Sequence, residues 1–187
     1  MTLTLPVLPR GRVRDVVRAP DPVLAEHGPP LDPADPEVGQ LCADLVATMR
    51  VSPGCVGLAA PQIGARGQAF CVDVSHHPKA RTQHGLIVLV NAEVATASRY
   101  EKGREGCMSV PDLTGDVKRA TRLTVTGALP LTGETVTITT DAFEARALQH
   151  EVDHCAGLLF LDRVTGAHAI FSRKVYLDPS EGARGRA

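Results

Sequence analysis

The chain reads as an α+β protein in which mostly antiparallel strands pack around a central helix. Three observations carry this. Residues 36–50 place one side-chain face at helical spacing, five β-type runs follow between residues 69 and 139, and residues 141–156 contain neither Gly nor Pro before Gly157. An order of helix, strands, helix packs a helix on a sheet and does not build alternating βαβ units.

Each element has its own signal. Six prolines within residues 19–36 hold that stretch extended. Asp35 can then cap a helix with Pro36 at its first position, and Val38, Leu41, Leu45, Thr48 and Met49 mark its inward face. Residues 51–67 are rich in Gly, Ala and Pro and read as tight turns. The β-type runs are 69–74, 86–90, 93–100, 123–128 and 135–139, and Pro111 is expected to interrupt regular pairing. Residues 75–85 read as a surface loop with His76, His77 and His84 facing solvent. Asp141 followed by Glu144 resembles a capping box, and Gly157 stops the second helix. With no repeat and no linker, residues 1–187 read as one domain with a loose tail from about residue 179.

Composition excludes some functions. Apolar residues make up 43% of the chain but aromatics only 3%, so the core must be aliphatic. Twenty basic residues against 21 acidic ones create no net field for nucleic acid or an anionic membrane. Five cysteines without a CxxC pair fit a disulfide framework poorly and suggest a reducing compartment. No apolar run approaches the roughly 20 residues of a membrane span. A soluble, cytoplasmic protein is expected.

The sharpest chemical signal is His150-Glu151-Val152-Asp153-His154. Two His four residues apart share one helix face and can hold one cation, with Glu151 beside it as a base. A catalytic divalent site takes three protein ligands, so a third must come from elsewhere. Cys107, in Glu105-Gly106-Cys107-Met108-Ser109, is the candidate, although a buried structural thiol is the more ordinary reading of that residue alone. In Gly57-Leu58-Ala59-Ala60-Pro61-Gln62-Ile63-Gly64, small residues allow close approach, and Gln62 offers an uncharged donor suited to an oxyanion. Read by itself, this segment is also just a tight turn.

In this order the three segments resemble those of the peptide deformylases, over roughly residues 13–177. The resemblance implies an α+β fold with the metal helix among antiparallel strands, and an amidase that removes the formyl group from the N-terminal methionine of new polypeptides. It implies Cys107, His150 and His154 as metal ligands, Glu151 as general acid and base, Gln62 and the Met108 backbone N–H as oxyanion donors, and Gly57 as a backbone contact to substrate. The family's usual metal is Fe2+, replaceable by Ni2+, Co2+ or Zn2+; the ligand set alone would suggest zinc. N-formylmethionyl peptides and, transiently, the ribosome are the implied partners. Arg119 is the implied partner of Asp153. Two positions depart from the family: Cys55 replaces the first Gly of the first motif, and Thr114 stands where many members carry Arg.

Phe143 and Ala147 lie seven and three residues before His150, on its helix face, and should floor a pocket for the methionine side chain, with Val56 as another wall. Two rival readings are a His-Glu-x-x-His metallopeptidase with a different third ligand and a non-catalytic metal-binding relative.

Overall fold

The computed structural model describes residues 3–173, so the tail from residue 179 lies outside the described residues. Asp35 opens α1 (Pro36–Val51): its carboxylate accepts the Glu37 N–H at 2.8 Å, and Pro36 occupies the first turn, where its missing N–H has no intrahelical partner to lose. The sheet then runs β1 (Gly57–Ala59), β2 (Ala69–Val72), β3 (Ile87–Cys107), β4 (Val110–Ala128) and β5 (Thr135–Asp141), each antiparallel to the next. β6 (Ile170–Ser172) pairs with the opening residues of β4, Leu113–Gly115, while β5 pairs with its closing residues. Between β5 and β6 lies α2 (Ala142–Cys155).

β2 is buried on both faces, and its period of two sorts its residues between the helices. Ala69 and Cys71 join Cys42, Leu45 and Met49 of α1; Phe70 and Val72 join Ala145, Ala147 and Leu148 of α2. The sheet is therefore clamped between two helices at this end. Leu45 and Leu148 are both 0% exposed, and each such burial contributes about 1.5–3 kcal/mol.

The strands differ most from the sequence expectation. Runs 86–90 and 93–100 are parts of one strand of 21 residues, bent at Asn91, where φ is 52°. The Asn91 side chain accepts the Leu31 N–H at 2.9 Å and donates to the Leu31 carbonyl at 2.7 Å, which anchors the bend. Run 123–128 is only the end of a strand that starts at Val110. The extra residues were hidden because 101–122 carry charges and glycines in place of an apolar alternation. Residues 93–102 are exposed; they are strand because β4 pairs with them. Pairing does lapse around Pro111: Cys107 faces Val110, the next pair is Gly106 with Thr114, and three residues of β4 loop out between. β1 and β6 had not been anticipated at all.

The capping box at the start of α2 is absent. Asp141 makes no cap bond and instead accepts the Thr82 N–H at 3.2 Å; Glu144, 0% exposed, accepts from His84 and from the Thr140 hydroxyl at 2.6 Å. These bonds pull loop 75–85 onto the helix. Only His76 of its three histidines is exposed, since His84 Nδ1 lies 2.7 Å from Glu144 and His77 stacks on Phe143 at 3.6 Å. At the far end Gly157, at φ 75°, terminates α2 as expected, and the Leu158 N–H reaches back to the Asp153 carbonyl at 2.9 Å.

Candidate active site

The end of β3, the 3-10 turn at Ala60–Ile63 and the last two turns of α2 meet at the base of a cleft of about 950 Å³. His150 and His154 project from one helix face, their ring centroids 4.9 Å apart. Cys107, at the last position of β3, faces them: its Sγ lies 3.3 Å from His154 Nε2, and the three ligand atoms lie within 4.8 Å of one another. A soft thiolate with two imidazoles suits a divalent first-row transition metal. One further atom fits that reading. Glu151 is 3% exposed, yet its Oε2 has no hydrogen-bond partner among the described residues. A buried, unpartnered carboxylate oxygen beside three converging donors is satisfied by a cation and the water it would carry.

The backbone shapes itself around Glu151. A Cβ at Gly57 would overlap Glu151 Oε1 and stand 2.9 Å from its Cδ, so only glycine lets the carboxylate lie against β1. Burial pushes the Glu151 pKa up to about 7, with Glu105 adding to the rise and His150 opposing it. Burial holds His154 well below the ordinary histidine range, leaving it neutral with a lone pair to share. Burial also opposes protonation of His150, but its bonds to Cys107 and Glu105 outweigh this and raise it to about 10, so a metal must displace a proton there.

Gln62 is 2% exposed, and its orientation is set from behind. Its Oε1 accepts the Ala59 N–H at 3.0 Å, which turns Nε2 toward Cys107 Sγ at 3.3 Å and Ser109 Oγ at 3.4 Å. Met108 lies in the turn just after Cys107 and lines the same cleft, as do Val56, Gly57, Phe143 and Ala147. The candidate ligands, Glu151, the two oxyanion donors and the pocket candidates are thus brought to one place. Cys55 lines the cleft too. Its thiol donates to the Gly57 carbonyl at 3.1 Å, and burial pushes its pKa up to about 12, so it is an unreactive neutral thiol at neutral pH.

Sequence reasoning missed Glu105. It is 6% exposed and accepts from His150 Nδ1 at 3.0 Å, fixing the ring that offers its other nitrogen to the metal site. Burial alone would raise its pKa, but bonds from His150 and Arg119 outweigh that and hold it well below the usual carboxylate range. Arg119 reaches Glu105 with Nε and Nη2 and Asp153 with Nη1, so the expected Arg119–Asp153 pair is one arm of a larger network that also includes Arg163. A signal for Glu105 existed: it sits two residues before Cys107, on the same strand face.

The fold and this constellation define an α+β metallohydrolase whose centre combines a His-Glu-x-x-His helix with a thiolate from a strand end. A family model for polypeptide deformylases matches residues 13–169. The peptide deformylase of Carboxydothermus hydrogenoformans is 42% identical over 151 residues, covering 81% of this chain and 93% of that protein. That of Desulforudis audaxviator is 42% identical over 164 residues, covering 87% and 98%. Among solved structures, the class I type b peptide deformylase of Acinetobacter baumannii with Met-Ala-Ser bound superposes with a TM-score of 0.74 at 32% identity, covering 82% of this chain and 100% of that one. The chain belongs to the peptide deformylase family, metal-dependent enzymes that remove the N-formyl group from newly made polypeptides.

Proposed function

We propose that this chain deformylates N-formylmethionyl peptides with Cys107, His150 and His154 as metal ligands and Glu151 as the group that moves the proton. The observation that carries the assignment is the buried, unpartnered Glu151 carboxylate beside those three converging donors. When bound, the cation supplies Lewis acidity, acidifying water and polarising the carbonyl it meets. Glu151 accepts a proton from the attacking water, whose oxygen bonds to the formyl carbon. Gln62 Nε2 and the Met108 N–H donate to the oxygen that gains charge, and loss of one such donor typically lowers the rate about a hundredfold. As the C–N bond breaks, Glu151 returns its proton to the leaving nitrogen, giving formate and a free N-terminal methionine. The Met-Ala-Ser bound to the Acinetobacter baumannii relative supports a peptide of this kind in the cleft. Gly57 offers it a backbone contact, and Val56, Phe143 and Ala147 wall the methionine pocket.

We assign Fe2+ as the native ion from the family resemblance, with Zn2+, Ni2+ and Co2+ as substitutes. All five cysteines are free and no helix among the described residues is long and apolar enough to cross a membrane. We place the enzyme in the cytoplasm, in transient contact with ribosomes that present its substrates. The test is formate release from formyl-Met-Ala-Ser by protein purified without oxygen, paired with metal analysis. Stoichiometric iron and formate release are expected. An inert metal-loaded protein, or cleavage of unblocked peptides instead, would overturn the assignment.

A further inference from the structure

We propose that the mouth of the cleft is a carboxylate-binding subsite, built by Lys79, Arg104 and Arg173, that engages an anionic group of the peptide downstream of its N-terminal methionine. This rests on the deformylase reading of the base of the same cleft. Among the described residues, four cationic side chains line the cleft, these three and Arg146, against two carboxylates, Glu105 and Glu151. Both carboxylates are buried, at 6% and 3% exposure, and belong to the base. Arg146 is committed inward: it donates to Glu105 at 2.8 Å and to the carbonyls of Val117 at 3.0 Å and Glu101 at 2.9 Å. The remaining three are at the rim.

Strand register puts two of them on one face of the sheet, on either side of a shared row. Gly106, Thr114 and Phe171 form one row across β3, β4 and β6. Arg104 precedes Gly106 by two residues and Arg173 follows Phe171 by two, so the period of two puts both on the face of that row. Arg104 lies 3.7 Å over the Phe171 ring, with Nε on Asp116 at 2.7 Å and Nη1 at 3.4 Å from the Thr114 hydroxyl. Stacking and that ion pair hold its guanidinium plane in place. Arg173 stands over Gly106, whose missing Cβ would lie 3.5 Å from its Cζ, and Nη1 is 3.4 Å from the Cys107 carbonyl. The acids facing this row on β4 are Asp116, already bonded to Arg104, and Asp112, exposed and not part of the cleft lining.

The chemistry selects the ligand. Formyl-methionine occupies the base, so the following residues leave through the rim. A peptide backbone is neutral and gives guanidinium and ammonium groups only dipoles, whereas a carboxylate pairs with them by charge-assisted bonds. Such a carboxylate comes from an Asp or Glu side chain or from the C-terminus of a short peptide.

The experiment compares kcat/KM of the metal-loaded wild-type enzyme at low ionic strength. Formyl-Met-Ala-Glu amide is set against formyl-Met-Ala-Lys amide, and formyl-Met-Ala-Ser as free acid against its amide. Partly exposed pairs have modest strength, so an advantage of about two- to fivefold for the anionic member is expected in at least one comparison. The first comparison reports a side-chain source and the second a terminal one. The advantage should shrink toward one near 1 M salt, where the screening length is only about 3 Å. The Glu-to-Lys ratio should fall toward one in Lys79→Gln/Arg173→Gln and invert in Arg173→Glu. Ratios near one in the wild type at low salt, with formate released normally from all four peptides, would overturn the subsite and leave the deformylase reading standing. No formate from any of them would instead sink the reading beneath it.

Discussion

Replacing Glu105 with Gln removes a charge and converts one acceptor into a donor while keeping the side chain's shape. The carboxylate accepts four donors: Arg119 Nε and Nη2, each at 3.0 Å, Arg146 Nη1 at 2.8 Å and His150 Nδ1 at 3.0 Å. An amide can satisfy one edge of this ring and must confront the other with N–H against N–H. Leaving buried cations without their partner costs about 3–5 kcal/mol, and Arg119 keeps Asp153, which argues for the lower end. A loss of about 3 kcal/mol in a domain this size lowers Tm by roughly 6–12 °C. His150 also loses its orienting acceptor, a defect that typically weakens metal binding about 10- to 100-fold. Chelator competition and thermal melts of metal-free protein measure the two effects separately. The acid side adds a third signature. Because the Glu105 carboxyl is held below its ordinary range, its stabilisation is fully present above about pH 4.3 and is lost as pH falls from there through its folded value. The Gln variant should lack that part of the slope. Unchanged metal affinity and Tm would refute the view that Glu105 positions His150.

The remaining predictions concern the reacting groups. Glu151→Ala should keep the metal and lose turnover by about 10²- to 10⁴-fold, since it removes a base and not a ligand; metal loss equal to that of a His150 variant would make it a ligand instead. Activity should rise with pH as Glu151 ionises, because its carboxylate is the accepting form. Burial sets that ionisation at about 7, and a bound cation can only lower it, so an acid limb of kcat/KM centred above 7 would contradict the assignment. Ala147→Leu should cut turnover of formyl-Met peptides far more than it lowers Tm, by filling a cleft wall that is now small; unchanged kinetics in the folded variant would remove Ala147 from the methionine pocket.

Both helices were legible because their signals are local: Asp35 and Pro36 for the start of α1, Gly157 for the end of α2. The apolar strand β2 and the alternating β5, where Val136 and Ile138 stand between threonines, were legible for the same reason. What the sequence hid is the long ribbon of β3 and β4 beyond Asn91, where cross-strand partners such as Glu101 and Arg119 take the place of an apolar alternation. Loop 75–85 was misread because a polar composition says nothing of the buried carboxylate, Glu144, that His84 binds 60 residues away.

The same division runs through the site. The helix supplies Glu151 and two donors at fixed spacing, and this is written in five consecutive residues. The third donor is another matter, since Cys107 meets His154 across 47 residues and only because the far end of the ribbon returns to α2. Apolar packing seats only the end of the ribbon, where Cys107, Val110 and Val117 cluster with Phe160 just after α2, while the middle of β3 is exposed. Polar staples tie it to the helix itself: Arg146 reaches from α2 to Glu105, Val117 and Glu101, and Arg119 ties β4 to Glu105 and to Asp153 of α2. Glu105 is the joint of both staples and the acceptor for His150. Disturbing this ionic joint should therefore misalign the centre, because these charges, beside the apolar cluster of Cys107, Val110, Val117 and Phe160, fix how the strand end meets the helix.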